Sequence, residues 1–145
     1  MSASESPGSD ARDAARPTTA KRILVVDDNE DNRQILLDLL SAAGYEVIEA
    51  CTGFDAVATA GREVPNLVLM DIQLPGMDGL EATRQIKAQP ALAAIPVIAV
   101  TSYALAGDDR KATDAGCDGY VTKPFSPRAL LAKVRTILGD APPET

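Results

Sequence analysis

Histidine and tryptophan do not occur in this 145-residue chain, and cysteine occurs twice. With no imidazole, and with Cys51 and Cys117 outside any metal-type spacing, the chain has few soft ligands to offer. Two isolated cysteines fit reduced thiols in a cytoplasm better than a disulfide scaffold. No apolar stretch approaches the roughly 18 residues needed to span a bilayer. The amino-terminal segment also lacks the continuous apolar core of a secretory signal. Positive charge is in deficit: 14 Lys and Arg against 21 Asp and Glu give a formal net charge of -7. That balance argues against a general affinity for nucleic acid or anionic membranes. A cytoplasmic protein with one core-bearing domain is the expectation.

Residues 1–20 are rich in Ser, Ala, Asp and Arg, with no large apolar residue after Met1. Such a segment cannot bury enough surface to offset its ordering entropy, so it is expected to be disordered. Glu5, Asp10 and Asp13 weaken an organelle-targeting reading. The tail 140–145, with Pro142-Pro143, is expected to be flexible, which leaves 21–139 as the domain.

Within that domain the apolar pattern alternates. Short strand-like runs stand at Ile23–Val26, which is rich in β-branched residues, Tyr45–Glu49, Leu67–Met70, Pro96–Val100 and Tyr120-Val121. Between them lie helical stretches at about 29–43, 54–63, 78–88, 107–115 and 127–138. The first puts Ile35, Leu36, Leu39, Leu40 and Ala43 on one stripe and stops at Gly44. Val57 and Ala60 face inward from the second, and Asp78 caps the third. The fourth has only alanines to bury, and the fifth turns Leu130, Leu131, Val134, Ile137 and Leu138 inward.

Five strands alternating with five helices predict an α/β fold with a parallel sheet covered on both faces. Right-handed crossovers favour the flavodoxin-like (βα)5 order 2-1-3-4-5, whose switch point lies between strands one and three. Four of the five strands end in a polar kit at their carboxyl ends, where such sheets gather ligands: Asp27-Asp28, Asp71, Thr101 and Lys123.

Carboxylates forced together at one crevice repel; two charges 4 Å apart cost roughly 4 kcal/mol at an effective dielectric near 20. A cation would relieve them, and oxygen ligands without His or Cys point to Mg²⁺ first and Mn²⁺ second. Mg²⁺ prefers one or two carboxylates plus phosphate oxygens, which fits Asp28 and Asp71 as direct ligands and Asp27 through water. Read alone, Asp27-Asp28 fits a helix cap equally well. Asp71 opens a turn, Asp71-Ile72-Gln73-Leu74-Pro75-Gly76-Met77-Asp78-Gly79, that holds a carboxylate able to attack phosphorus. A Thr101 hydroxyl and a Lys123 ammonium can each meet a phosphoryl oxygen. Ser102 leaves room for the group, and Pro124 constrains the direction of Lys123.

With Ile23-Leu24-Val25-Val26-Asp27-Asp28-Asn29, the Asp71–Gly79 turn, Val100-Thr101-Ser102 and Tyr120-Val121-Thr122-Lys123-Pro124-Phe125, the chain resembles the receiver domains of bacterial two-component response regulators. The run Asp28-Asn29-Glu30-Asp31-Asn32 is similar to the single-domain DivK type and to receiver modules attached to hybrid kinases. The resemblance implies that Asp71 accepts a phosphoryl group from a phosphohistidine of a sensor histidine kinase or histidine phosphotransfer protein. It implies Mg²⁺ held by Asp28, Asp71 and the Gln73 backbone carbonyl, with Asp27 in the outer shell. Thr101 and Lys123 would contact phosphoryl oxygens, and the Lys123-Pro124 bond would be cis. Tyr120 would be the switch aromatic, and Gln73 and Tyr103 would tune phosphate lifetime, with Tyr103 shielding the acyl phosphate.

Only six residues follow Gly139, so no DNA-binding output domain fits, and the output is expected to be binding of a downstream protein target or onward phosphotransfer. The face of helix four, strand five and helix five is the expected surface. Lacking histidine, the chain cannot itself be a histidine kinase or histidine phosphotransfer protein. A monomer is expected, with dimerisation on phosphorylation left open. The protein is expected to be a phosphoacceptor rather than an enzyme. The alternative is a Mg²⁺-dependent aspartyl phosphohydrolase, which would want an acid at the position of Gln73. A flavin or nucleotide domain would need Gly, Ser or Thr after strand one, where Asp27-Asp28-Asn29-Glu30-Asp31 stands.

Overall fold

The computed structural model describes residues 21–101, 108–123 and 125–139. The expectations for 1–20, 140–145, Ser102, Tyr103 and the Lys123-Pro124 bond lie outside the described residues. Strands and helices alternate as β1 (Arg22–Val26), α1 (Glu30–Ala42), β2 (Glu46–Ala50), α2 (Gly53–Glu63), β3 (Leu67–Asp71), α3 (Gly79–Lys87), β4 (Val97–Thr101), α4 (Asp108–Ala115), β5 (Gly119–Thr122) and α5 (Pro127–Leu138). Every neighbouring strand pair is parallel, in the order β2-β1-β3-β4-β5. The flavodoxin-like topology expected from the sequence is the one formed. Among the described residues, no helix is long and apolar enough to cross a membrane.

The apolar runs become strands because both faces are covered. Successive side chains of β1 alternate between two layers. Leu24 and Val26 pack with Ala56, Ala60, Ala82 and Ile86 beneath α2 and α3, while Ala112 carries this layer to α4. Ile23 and Val25 pack instead with Leu36, Leu40, Leu130 and Val134 beneath α1 and α5. Each fully buried Leu, Ile or Val contributes about 1.5–3 kcal/mol. Leu24→Asp would put a charge into the centre of one layer. The edge strand β2 is half exposed and carries Glu46 and Glu49, a charge pattern that blunts strand-to-strand aggregation.

Among the described residues, four helix starts are capped by side chains: Asn29 accepts from the Asn32 N–H, Thr52 from Asp55, Asp78 from Glu81 and Ser126 from Ala129. Each such cap is worth ~1 kcal/mol. Asn29, rather than Asp27 or Asp28, caps α1, which frees both aspartates for the crevice.

Two expectations are corrected. Ile35 is 56% exposed, so it does not share the inward stripe with Leu36 and Leu40. It lies on the flank of α1 and lines an open groove of about 490 Å³ with Leu36, Lys123, Phe125 and Pro127. Second, β3 and β4 run through Asp71 and Thr101, because these residues still pair in register, Asp71 with Val100 and Thr101 with Thr122.

Candidate functional site

Strand register builds the site. Val26 pairs with Met70 across β1 and β3, so Asp27 and Asp71, each one residue further on, emerge side by side at the switch point. Thr101 pairs with Thr122 across β4 and β5, and the Lys123 N–H donates to the Thr101 carbonyl at 2.7 Å. That bond delivers Lys123 to the crevice. One carboxylate oxygen from each of Asp27, Asp28 and Asp71 lies within 4.8 Å of the others. Lys123 Nζ stands 3.0 Å from Asp27 Oδ2 and 3.6 Å from Asp71 Oδ2.

The second oxygens are fixed by backbone. Asp27 Oδ1 accepts from the Asn29 N–H and Asp71 Oδ1 from the Gln73 N–H, each at 2.9 Å. Asp27 and Asp71 are buried, Asp28 is exposed, and Thr101 is wholly buried at the end of β4. Gln73 itself is exposed, and Tyr120 is half-buried against the layer beneath α2, α3 and α4.

Burial raises the Asp71 pKa above the usual carboxylate value; the Gln73 N–H and Lys123 oppose that rise, and the charges of Asp27 and Asp28 add to it. Among the described side chains there, one ammonium faces three carboxylates, a negative balance. Lys123 relieves part of the repulsion expected from the sequence, but not all of it. The donors there are carboxylate oxygens with no imidazole or thiolate among them, a set that fits a hard divalent cation.

Two glycines hold the turn that follows Asp71. A Cβ on Gly79 would overlap the Asp71 carbonyl oxygen and the Ile72 Cα. One on Gly53 would come within 2.6 Å of the Met77 carbonyl oxygen. The first residue of α3 is therefore pressed directly onto the backbone of Asp71, and the first residue of α2 onto the far end of the same turn. Gly79 escaped assignment in the sequence, although a glycine at the first position of a helix signals a close backbone approach. Arg33 was missed too. Its guanidinium donates to the Asp27 carbonyl at 2.8 Å and pairs with Glu49 at 3.1 Å, contacts that only the tertiary fold creates.

The family described as Response regulator receiver domain matches residues 23–135. The polar-differentiation response regulator DivK of Brucella ovis is 42% identical over 121 residues, covering 83% of this chain and 98% of its own. Among solved structures, the receiver domain of a Pseudomonas aeruginosa sensor histidine kinase superposes with a TM-score of 0.78 at 36% identity, covering 84% of this chain and 100% of its own. That domain is described with a magnesium ion coordinated in its active-site cleft. The chemotaxis response regulator CheY4 of Vibrio cholerae superposes with a TM-score of 0.78 at 28% identity, covering 82% of this chain and 99% of its own.

Proposed function

We propose, for a chain that belongs to the response regulator receiver domain family, that Asp71 is the residue that takes the phosphoryl group. Phosphorylation of an aspartate by a partner kinase is the general function of that family, whose members are signalling domains rather than conventional enzymes. The observation that supports the assignment is the register: it brings Asp71 beside Asp27 at the sheet's switch point, with the Lys123 ammonium 3.0 Å from Asp27 and 3.6 Å from Asp71.

In this reading a carboxylate oxygen of Asp71 attacks the phosphorus of a partner's phosphohistidine. A P–O bond forms, the P–N bond breaks, and the imidazole leaves with a proton from solvent. The Gln73 N–H keeps one Asp71 oxygen occupied and so orients the other for attack. Lys123 exchanges its carboxylate contacts for a phosphoryl oxygen, and Thr101 donates to a second. Asp28, Asp71 and the Gln73 backbone carbonyl would hold Mg²⁺, with Asp27 in its outer shell. Magnesium bound there supplies positive charge that offsets the anion as it is transferred.

The donor and output partners are proteins. The groove beside Lys123, with exposed Ile35 and half-buried Phe125, supports docking of a phosphodonor protein within reach of Asp71. The face of α4, β5 and α5 carries the output to a downstream protein in the cytoplasm. Tyr120, on β5, changes its packing when Thr101 engages the phosphoryl group. Phosphorylation adds about -1.5 to -2 charge and three acceptor oxygens, enough to draw Thr101 and Lys123 onto a new centre.

The test is incubation with acetyl phosphate, with and without Mg²⁺, followed by intact mass. One adduct of about 80 Da is expected only with Mg²⁺, and none in Asp71→Asn. An adduct that persists in Asp71→Asn refutes the assignment.

A further inference from the structure

Asp27 is gripped at four points by four different segments. Its N–H donates to the Ala50 carbonyl of β2 at 3.2 Å, and its carbonyl accepts from Arg33 Nη1 of α1 at 2.8 Å. Its two carboxylate oxygens meet the Asn29 N–H and Lys123 Nζ. Arg33 is itself anchored, since its Nε donates to Glu49 Oε1 on the edge strand at 3.1 Å. The Arg33 side chain is 18% exposed, so the guanidinium is largely enclosed.

The carbonyl that Arg33 holds belongs to the peptide linking Asp27 to Asp28. Fixing that peptide plane limits the directions in which Asp28 can leave the chain. Asp28 is exposed, so packing does little to aim its carboxylate and the backbone it leaves from matters more. A planar, five-donor guanidinium is well shaped for such a brace, because one edge serves the carbonyl while Nε serves the carboxylate.

We infer that Arg33, braced by Glu49, is a positioning residue for the cation site: it acts through the Asp27 carbonyl to aim Asp28. The inference rests on the magnesium-binding reading of the crevice above. It also runs against bare electrostatics, which makes it sharp. A guanidinium near an acidic cluster repels a divalent cation, so deleting the charge should tighten binding if Arg33 did nothing else. If Arg33 aims Asp28, its deletion weakens binding despite the more favourable charge.

The experiment is calorimetric titration of MgCl₂ into the full chain, well below the thermal midpoint, for wild type, Arg33→Met, Arg33→Lys and Asp28→Ala. Loss of a group that orients a metal ligand typically costs 10–100-fold in affinity; here Arg33→Met is expected to weaken Mg²⁺ binding about tenfold. Arg33→Lys keeps the charge but serves one acceptor at a time, so it should fall between the two. In an Asp28→Ala background, Arg33→Met should have little further effect, since the ligand it aims is gone. Unchanged or tighter binding in Arg33→Met, with a folded protein, overturns the inference. Should Arg33→Met fail to fold, wild-type affinity in Arg33→Lys does the same. Absence of Mg²⁺ binding by wild type overturns the cation site as well, so the two failures are distinct.

Discussion

At the amino-terminal end of the sheet, charges meet opposite partners: Arg22 lies 3.0 Å from Glu63, and Lys87 lies 3.0 Å from Asp118. At the carboxyl end, Lys123 bridges Asp27 and Asp71 while Asp28 adds a third carboxylate. The first end is built to be left alone. Lys87 Nζ also donates to the Ile95 carbonyl at 2.6 Å, and Asp118 Oδ2 accepts the buried Val97 N–H at 2.9 Å, so these charges serve as fasteners for loops. The second end keeps an unbalanced negative charge partly out of water, which a fold tolerates only at a cost. The imbalance lies where the proposed cation and phosphoryl group would act.

Substitutions at the two ends should therefore differ in whether cation affinity falls together with stability. The largest effect is expected for Gly79→Ala, where the added methyl would overlap the Asp71 backbone. Overpacking against backbone should lower the unfolding free energy by about 3 kcal/mol, and the displaced Asp71 should also bind Mg²⁺ more weakly; urea denaturation and calorimetry read the two effects. Next, Asp118→Ala removes the acceptor of a buried N–H and should cost about 2 kcal/mol while leaving Mg²⁺ affinity at the wild-type value. A fall in affinity there would break the division of labour between the two ends.

Much of this contrast was legible in the sequence. The runs ending in Asp27-Asp28, Asp71, Thr101 and Lys123 pointed to both the sheet order and the membership of the crevice, because parallel strands place their carboxyl ends at one pole. Local chemistry also identified the Asp78 cap and, among the described side chains of α4, the burial of Ala112 and Ala115. Ile35 was misplaced because a helical stripe is wider than the surface the sheet covers; periodicity cannot say where coverage stops. Arg33 stayed hidden because its partners, the Asp27 carbonyl and Glu49, come from the α1 entry loop and a neighbouring strand. The bridging position of Lys123 between two aspartates is likewise a product of tertiary register.

The central claim is that ionised Asp71 is a strain on the fold that a cation relieves. Its pKa is raised in the folded state, chiefly by burial, so the native protein holds that proton more tightly than the unfolded chain. The stability this contributes is present in acid and lost as pH rises from the ordinary carboxylate value through the raised one; at neutral pH the ionised group is a net burden. The decisive measurement is the thermal midpoint of wild type and Asp71→Asn against pH, with and without MgCl₂. Without Mg²⁺ at neutral pH, Asp71→Asn should melt above wild type by roughly 2–4 °C, and the gap should close in acid. Mg²⁺ should raise the wild-type midpoint and move the variant far less. A variant that melts below wild type at neutral pH, beside a wild type indifferent to Mg²⁺, would contradict the account.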